Sequence, residues 1–413
     1  MRHRGSRALL VGLVAAALIA GCQSSMSSAT PSSPTGPSPQ SSSYQPAPAS
    51  SLAARSAAAP SSAPPMPIAT IVAVGDVALG NTPSLPRDPV GYLAPMRAVL
   101  SAPIVFGNLE GALTNASLSK CPPPPPPSPL PTPPPTPSSP PTTSAPPTPS
   151  ASPAPKPPSC FAFRMPTSYA KILRGAGFTV LNSANNHSHD FGPRGIADTS
   201  AALGGAGITQ IGLPGQTGII DVGGVRVAFI GFAPYATTNN LLDDVRAHDL
   251  IASARQTADL VVVYMHAGAE GSAATHVAGD DEWYLGENRG NPKGFAHAAI
   301  DAGADLVVAS GPHVLRGMEY YRSHLIAYSL GDFVGYGNFS TTGPLALSGA
   351  LRISLDATGR PTSARFTSMR LDGTGRPAVD PAAQAAKFVN ELSNADFGAS
   401  AAVIDATGDI HAR

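Results

Sequence analysis

Short apolar runs rich in β-branched residues recur along most of the chain, and segments with helical spacing of apolar residues separate many of them. Near-continuous apolar runs are typical of strands in sheets that are buried on both faces, so the alternation predicts an α/β fold. We predict strands over residues 68–74, 103–106, 178–180, 208–211, 218–222, 225–232, 260–265, 305–309, 325–330, 349–355 and 364–371. We predict helices over residues 89–100, 168–176, 194–203, 243–257, 291–302 and 380–392.

The N-terminal residues carry an export pattern. Three arginines precede an apolar run over residues 8–20, which is too short to cross a bilayer and suits the core of a signal peptide. The run ends in Gly21-Cys22, which resembles the processing site of bacterial lipoproteins. We therefore predict a lipoprotein signal peptide over residues 1–21 and a lipid-modified Cys22. The mature protein would lie outside the cytoplasm, anchored to the bacterial cell membrane. An ordinary secretory signal is the alternative.

Two further stretches are too poor in apolar residues to build a core. Residues 22–66 are rich in Ser, Pro and Ala and contain a single charged residue, and residues 121–160 are dominated by proline. We predict a disordered tether and a disordered insertion, because neither stretch can offset the entropic cost of ordering. Cys121 and Cys160 flank the insertion in an oxidising compartment, so we predict a disulfide between them, with two free thiols as the alternative.

The remaining chain bounds the architecture and the partners. Residues 67–394, less the insertion, are enough for one large α/β domain, and residues 395–413 form a tail. The formal net charge is +0 and the sequence shows no basic stripe, so we expect no nucleic-acid partner.

One loop concentrates polar side chains. Residues 181–190 follow a predicted strand and include Asn185, Asn186, His187 and Asp190. In open α/β sheets, ligands bind beyond the carboxyl ends of the strands, which is where this loop lies. The alternative is an Asn-rich turn with a helix cap, but such a turn has no need of an imidazole.

Four other predicted strands also end in loops that carry potential metal ligands. One such residue would mean little, but five loops in series at the same ends of their strands favour a metal site. Carboxylate, imidazole and amide oxygen donors without a thiolate pair suit Mn, Fe or Zn in a hydrolytic centre. The residues that these loops supply are Asp76, Asn108, Glu110, Asn186, His187, His266 and His313.

Together these blocks resemble the CapA (poly-γ-glutamate capsule biosynthesis) family, a branch of the metallo-dependent, calcineurin-like phosphatase superfamily. The resemblance extends over about residues 68–371 apart from the insertion, and it implies a four-layer αββα sandwich of two mixed sheets. The matching blocks are Gly75-Asp76, Gly107-Asn108-Leu109-Glu110, Asn185-Asn186-His187 with Asp190, His266 with Gly268 and Glu270, Gly311-Pro312-His313-Val314, and Tyr328-Ser329-Leu330-Gly331-Asp332-Phe333.

The resemblance also implies roles for the site residues. Asp76 and His313 would bind one metal ion, and Asn186 and His266 would bind a second. By the same resemblance, the histidine that follows the ligand asparagine would be a general acid or a donor to the transition state. Its neighbouring aspartate would orient it, because the second nitrogen of such an imidazole usually has a partner. These two residues are His187 and Asp190.

The chain departs from the superfamily at three ligand positions. Ala78 and Gly311 stand where histidines are usual, and Asn108 stands at the position of the bridging aspartate, with Glu110 two residues later. Glu270 and Glu319 are further candidates to supply a missing donor. We predict one tightly bound Mn, Fe or Zn ion and a second, weaker site.

The resemblance implies a surface-anchored, metal-dependent hydrolase of capsule or envelope polymer synthesis. Its substrate would be a phosphoester or the γ-glutamyl amide bond of a polymer such as poly-γ-glutamate, because activated water attacks either centre. Its partners would be membrane subunits of capsule synthesis. The alternative is a non-catalytic, lipid-tethered subunit that binds or assembles the polymer, which the missing histidines favour.

Overall fold

The computed structural model describes residues 66–121 and 160–413. The predictions for the signal peptide, the tether, Cys22 and the interior of the insertion fall outside the described residues. The strands are β1 (Ala69–Ala78), β2 (Ile104–Leu109), β3 (Ala112–Leu113), β4 (Arg164–Met165), β5 (Val180–Asn182), β6 (Thr209–Ile211), β7 (Gly218–Val222), β8 (Val225–Phe232), β9 (Leu260–His266), β10 (Trp283–Tyr284), β11 (Glu287–Asn288), β12 (Leu306–Ser310), β13 (Met318–Tyr321), β14 (His324–Ala327), β15 (Asp332–Gly335), β16 (Leu347–Leu355), β17 (Pro361–Leu371), β18 (Pro377–Val379), β19 (Ala402–Ile404) and β20 (Ile410–Ala412). The α-helices are α1 (Pro89–Leu93), α2 (Tyr169–Ala176), α3 (Gly192–Gly205), α4 (Asp244–Thr257), α5 (Pro292–Asp301) and α6 (Gln384–Phe397).

Two mixed sheets form the centre of the fold. The larger, 8-stranded sheet runs β18-β17-β16-β1-β2-β5-β6, and β15 also pairs with β1. In it, β1, β2, β5 and β6 are parallel, whereas β16 to β18 continue it as antiparallel strands. The 6-stranded sheet runs β13-β14-β12-β9-β8-β7, with antiparallel strands at both edges. Each sheet therefore has a parallel centre whose strands end at the same edge.

An apolar core lies between the two sheets. Side chains of β1 and β2 meet side chains of β8 and β9 there, and the Phe106 ring lies 5.5 Å from Phe229 and 5.3 Å from Tyr264 between centroids. Burying one such aromatic ring contributes about 1.5–3 kcal/mol. Helices α1 to α3 cover the outer face of the larger sheet, and α4 and α5 cover that of the smaller one. This four-layer arrangement confirms the predicted αββα sandwich.

Two local differences from the predicted elements have clear causes. The helix predicted over residues 89–100 ends at Leu93 and passes into a short 3₁₀ turn, since Pro95 cannot donate the helical hydrogen bond. The chain beyond residue 394 also belongs to the fold: α6 continues to Phe397, and β19 pairs with β20 so that Ile404 and Ile410 enter the core between the sheets. The domain therefore extends past the predicted boundary.

The two ends of the insertion meet at a disulfide. Cys121 and Cys160 are bonded, with their Cα atoms 5.6 Å apart and a sequence separation of 39 residues.

Within the described part of the chain, no helix combines the length and the apolarity that crossing a bilayer requires.

Candidate metal and catalytic site

The strand ends of the two sheets meet at one polar cluster. Asp76 on β1 pairs in register with Asn108 on β2, and His266 on β9 pairs with Ser310 on β12. The Ser310 hydroxyl donates a hydrogen bond to Asp76, and His266 Nδ1 lies 4.0 Å from Asp76 Oδ1. The parallel topology thus brings donors that are far apart in sequence into contact.

One group of potential metal ligands consists of Asp76, Glu110 and His266. All three side chains are fully buried, and His266 Nδ1 lies 3.8 Å from Glu110 Oε2. The ligand atoms of this group lie within 4.8 Å of one another, which is close enough for one ion to contact them all. The structure therefore brings together three of the residues that the strand-end pattern singled out.

A second group shares Asp76 with the first and adds His313 and Asp332. His313 Nδ1 lies 2.8 Å from Asp332 Oδ1 and 3.2 Å from Asp76 Oδ2. The backbone of His313 has a φ of 59°, a conformation that residues other than glycine keep only where surrounding contacts fix them. The shared carboxylate places the two groups side by side.

Carboxylate oxygens in both groups lack a hydrogen-bond donor. Among the described residues, Asp76 Oδ2, Glu110 Oε1 and Asp332 Oδ2 are buried without such a partner, since His313 Nδ1, 3.2 Å from Asp76 Oδ2, donates its hydrogen bond to Asp332 Oδ1. Burial raises the pKa of Glu110 well above its usual value and raises the pKa of Asp332 to about 7. Burial also lowers the pKa of His266 well below its usual value, which favours a neutral imidazole. Its Nε2–H donates to Asn186 Oδ1, so Nδ1 is an acceptor, and the Asn108 amino group lies 3.4 Å from it. Unpartnered buried carboxylates and a neutral imidazole fit a divalent cation, which would offset the cost of ionising the acids.

Asn108 faces this cluster with its amino group. Its Nδ2 donates to Asp76 Oδ1 at 2.8 Å and to Glu110 Oε2. Its Oδ1 accepts from Asn182 at 2.7 Å and from Asn185 at 3.1 Å. Backbone partners fix the orientations of those two amides, so each presents its amino group to Asn108. The predicted ligand role of Asn108 needs an oxygen facing the metal, and this network turns that oxygen away.

Asn186 and His266, the predicted second ligand pair, are hydrogen-bonded to each other, and His266 also belongs to the group formed with Asp76 and Glu110. Asn186 Oδ1 is 3.1 Å from His266 Nε2, and its Nδ2 donates to Glu270 Oε1 at 3.4 Å. Glu270 is in turn paired with the buried guanidinium of Arg289 at 2.7 Å, so its charge is already balanced. Glu319 lies elsewhere, in a buried network with His297 and other groups, and does not supply a donor here.

His187 and Asp190 form what we call the imidazole–carboxylate pair. His187 Nδ1 donates to Asp190 Oδ2 at 2.8 Å. That hydrogen bond fixes the tautomer and leaves Nε2 toward the cluster, 3.9 Å from Glu110 Oε1. His187 is buried, with 6% of its surface exposed, and its ring stacks on Phe163 with centroids 4.2 Å apart. The pair therefore borders the metal-ligand groups without belonging to them.

The two positions that lack the usual histidines lie in buried or conformationally restricted backbone. Ala78 is buried in β1 opposite Gly335 of β15. Gly311 has a φ of +122°, and a Cβ there would lie 3.1 Å from the backbone nitrogen of Ala267. A histidine at residue 311 would therefore need a different backbone conformation, so this loop as folded favours glycine over the usual ligand.

The structure adds residues that the sequence interpretation did not assign. Asp332 lies in a recognised block, but nothing in the pattern marked it as a ligand. Ser310 precedes Gly311, one of the positions that differ from the superfamily, and its hydroxyl donates a hydrogen bond to Asp76. The Tyr264 hydroxyl lies within hydrogen-bond reach of Ser310. Ser310 directly follows the strand predicted over residues 305–309. That position after a strand is the signal that could have identified it as a site residue.

Comparison with known proteins finds a sequence likeness to capsule-synthesis proteins. A model of the family "Bacterial capsule synthesis protein PGA_cap" matches residues 143–336. The PGA biosynthesis protein CapA of Bacillus subtilis is 34% identical over 181 residues, covering 40% of this chain and 44% of that protein. A probable polyglutamine synthesis accessory protein of Mycobacterium tuberculosis is 29% identical over 206 residues, covering 43% of this chain and 50% of that protein. The aligned part thus spans half or less of these curated relatives.

Solved structures show only a distant likeness. A putative 5'-nucleotidase of Staphylococcus aureus aligns over 79% of this chain and 58% of its own, with a TM-score of 0.38 and 13% sequence identity. A likeness at that level carries no functional conclusion, so the function rests on the family match, the curated relatives and the site.

Proposed function

We propose that this chain is a metal-dependent hydrolase acting on a capsule polymer or its precursor. The match to the capsule-synthesis family model and the likeness to curated CapA proteins support the link to a capsule polymer. The observation that carries the proposal is the convergence of two buried ligand groups on Asp76, beside an imidazole–carboxylate pair. Neither a packed core nor a simple binding surface needs that combination, because unpaired buried carboxylates cost stability.

The described residues fit one divalent ion well. Asp76, Glu110 and His266 would hold it, and His313 with Asp332 would form a second, weaker site that shares Asp76. An ion of the Mn, Fe or Zn class bound there would lower the pKa of a coordinated water and polarise a phosphoryl or carbonyl oxygen. Asn108 donates to both acidic side chains and keeps them in position.

The imidazole–carboxylate pair would supply the proton chemistry. Asp190 accepts the Nδ1 proton of His187, so the Nε2 atom is the one that can hold or release a proton toward the site. Such a group protonates a leaving oxygen or nitrogen, or donates to charge that develops in the transition state. Stacking on Phe163 excludes water from one face of the ring.

A second function has its own supporting observation. Position 108 presents an amino group where a bridging carboxylate would serve two metals, and the backbone at Gly311 has a conformation that would be strained for a histidine. These features favour a non-catalytic subunit that binds or assembles a polymer through a site with fewer metal ligands. Metal-dependent turnover separates the two functions.

The test of the proposed hydrolase measures turnover of two substrates. The full chain is incubated with Mn and either an aryl phosphate or poly-γ-glutamate, and release of phenol or of polymer fragments is followed. We expect Mn-dependent hydrolysis of at least one of them, abolished by a chelator and restored by Mn. A chain that binds poly-γ-glutamate but hydrolyses neither substrate would favour the binding subunit.

We also propose that the protein is anchored outside the cytoplasm by a lipidated Cys22, next to the membrane subunits of capsule synthesis. The support is the sequence pattern of residues 1–22, which lie outside the described residues. A Cys22→Ala variant is expected to leave the membrane fraction in detergent-free buffer, because the acyl chains that would anchor the protein are attached at that residue. Fractionation of both proteins with membranes would contradict the anchor.

A further inference from the structure

The insertion leaves and rejoins the described chain beside the imidazole–carboxylate pair. The Cys121–Cys160 disulfide joins the two points. Lys120 immediately precedes the first cysteine, and Phe163 follows the second by three residues. Both of these residues contact the pair, although the intervening residues 122–159 separate them in sequence.

Lys120 holds the aspartate of the pair from one side. Its Nζ lies 2.7 Å from Asp190 Oδ1, and its backbone N–H donates to the Asp190 carbonyl at 2.7 Å. The same Nζ donates to the Asn186 carbonyl at 3.2 Å. The Asp190 side chain is fully buried, whereas that of Lys120 is 40% exposed. A single cation at the surface thus balances a buried charge, which would otherwise be costly.

Phe163 holds the same aspartate from the other side. Its backbone N–H donates to Asp190 Oδ2 at 2.7 Å, and that oxygen also accepts from His187 Nδ1. The Phe163 ring packs on the imidazole with an interplanar angle of 29°. Both carboxylate oxygens and one face of the imidazole are therefore fixed by the two segments that the disulfide joins.

We infer that Lys120 and Phe163 are positioning residues for the imidazole–carboxylate pair and that the disulfide keeps both in place; this inference rests on the proposed hydrolase. Residues 114–121 and 160–163 belong to no helix or strand, and three backbone–backbone hydrogen bonds hold them, through the N–H groups of Thr114 and Lys120 and the carbonyl of Phe163. Segments of that kind open locally at low cost, and a cross-link removes much of the freedom of the open form. Lys120, Phe163 and the disulfide then influence the rate of the reaction, whereas residues 122–159 are not required for it.

The test compares variants of the full chain purified in detergent. The variants are Lys120→Gln, Lys120→Arg and Cys121→Ser/Cys160→Ser. One matched control is Lys171→Gln, which removes an exposed lysine on α2. The other replaces residues 122–159 with a short Gly-Ser linker and keeps both cysteines. The readouts are kcat, KM and metal content, and the proton NMR resonance of His187 Nδ1–H, assigned by its absence in a His187→Gln variant.

We expect Lys120→Gln and the double serine variant to lower kcat by about 10–100-fold, the usual effect of removing an orienting partner. KM and metal content should stay near wild type, and the Nδ1–H resonance should shift or broaden. Lys120→Arg, which keeps the cation, should restore most of kcat and of the resonance, and Lys171→Gln and the linker variant should behave as wild type in every readout.

Unchanged kcat and an unchanged resonance in Lys120→Gln and the double serine variant would overturn the inference. A comparable loss in the linker variant would also overturn it, because the interior of the insertion would then be required. If wild type hydrolyses neither substrate, the hydrolase proposal fails and the resonance alone decides the positioning role. A shift in Lys120→Gln that Lys120→Arg reverses would support that role, and no shift would overturn it.

Discussion

Replacing His266 with alanine is expected to empty the metal site. The imidazole is fully buried, and it is the one nitrogen donor in the group formed with Asp76 and Glu110. Without it, the group keeps two carboxylates and loses its nitrogen ligand. We expect divalent metal affinity to fall by about 100-fold or more, beyond the loss that removal of an outer partner causes. Metal analysis after dialysis against a weak chelator measures the effect.

The same variant should lose the stabilisation that metal gives to the fold. A ligand that binds only the folded state at about 100 times its Kd contributes about 2.7 kcal/mol. Added Mn should therefore raise the Tm of the wild type and leave that of His266→Ala nearly unchanged. This readout is independent of any substrate, so it also tests the metal site if no hydrolysis is found.

His248→Ala is the matched control for that experiment. His248 lies on α4 with its side chain 64% exposed, next to Asp249 and outside both ligand groups. It should keep the metal content and the Mn-dependent Tm of the wild type. Wild-type metal content in His266→Ala would contradict the assignment of this histidine as a ligand.

The sequence predicts the sheets well where strands are buried on both faces. The strands β9 and β12 can be predicted from their own apolar residues, because a strand covered by helices and by a second sheet is apolar throughout. Two-residue strands such as β10 and β11 carry no periodicity, so they were not predicted. The C-terminal end of the chain poses the same difficulty, since the short β19 and β20 alternate over too few residues.

The site is only partly predictable, for a reason that lies in its contacts. The rule that ligands bind beyond strand ends finds Asp76, His266 and His313, because it depends on topology alone. The orientation of Asn108 depends on the amides of Asn182 and Asn185, and no local pattern encodes a side chain's rotation. Interactions set by the tertiary structure therefore decide whether a residue of the right type is a ligand or a donor.

The neighbours of the imidazole–carboxylate pair show the same limit at longer range. Lys120 and Phe163 flank a proline-rich stretch that offers no reason to associate either with catalysis. Their contacts with Asp190 lie next to the disulfide that joins the two ends of that stretch in the folded structure. A single sequence cannot reveal such a contact.

Replacing His187 with alanine is expected to leave the metal in place and to remove most of the hydrolysis. The imidazole contributes to neither ligand group, and Asp190 keeps its contacts with Lys120 and the Phe163 backbone when the ring is lost. The fold and the metal content should therefore be retained. General acid assistance of this kind is worth about 10²–10⁴-fold in rate, so we expect kcat to fall by that factor with little change in KM.

The size of that loss should depend on the leaving group. A proton donated from His187 Nε2 helps a basic leaving group most, so the loss should be greatest for an amide or an alkyl phosphate. It should be smallest for a nitrophenyl phosphate, whose leaving group needs no proton. Rates for the two kinds of ester, measured on wild type, His187→Ala and His248→Ala at matched metal content, give the comparison. An equal loss on both esters would assign His187 to charge stabilisation, and wild-type rates on both would exclude it from the reaction.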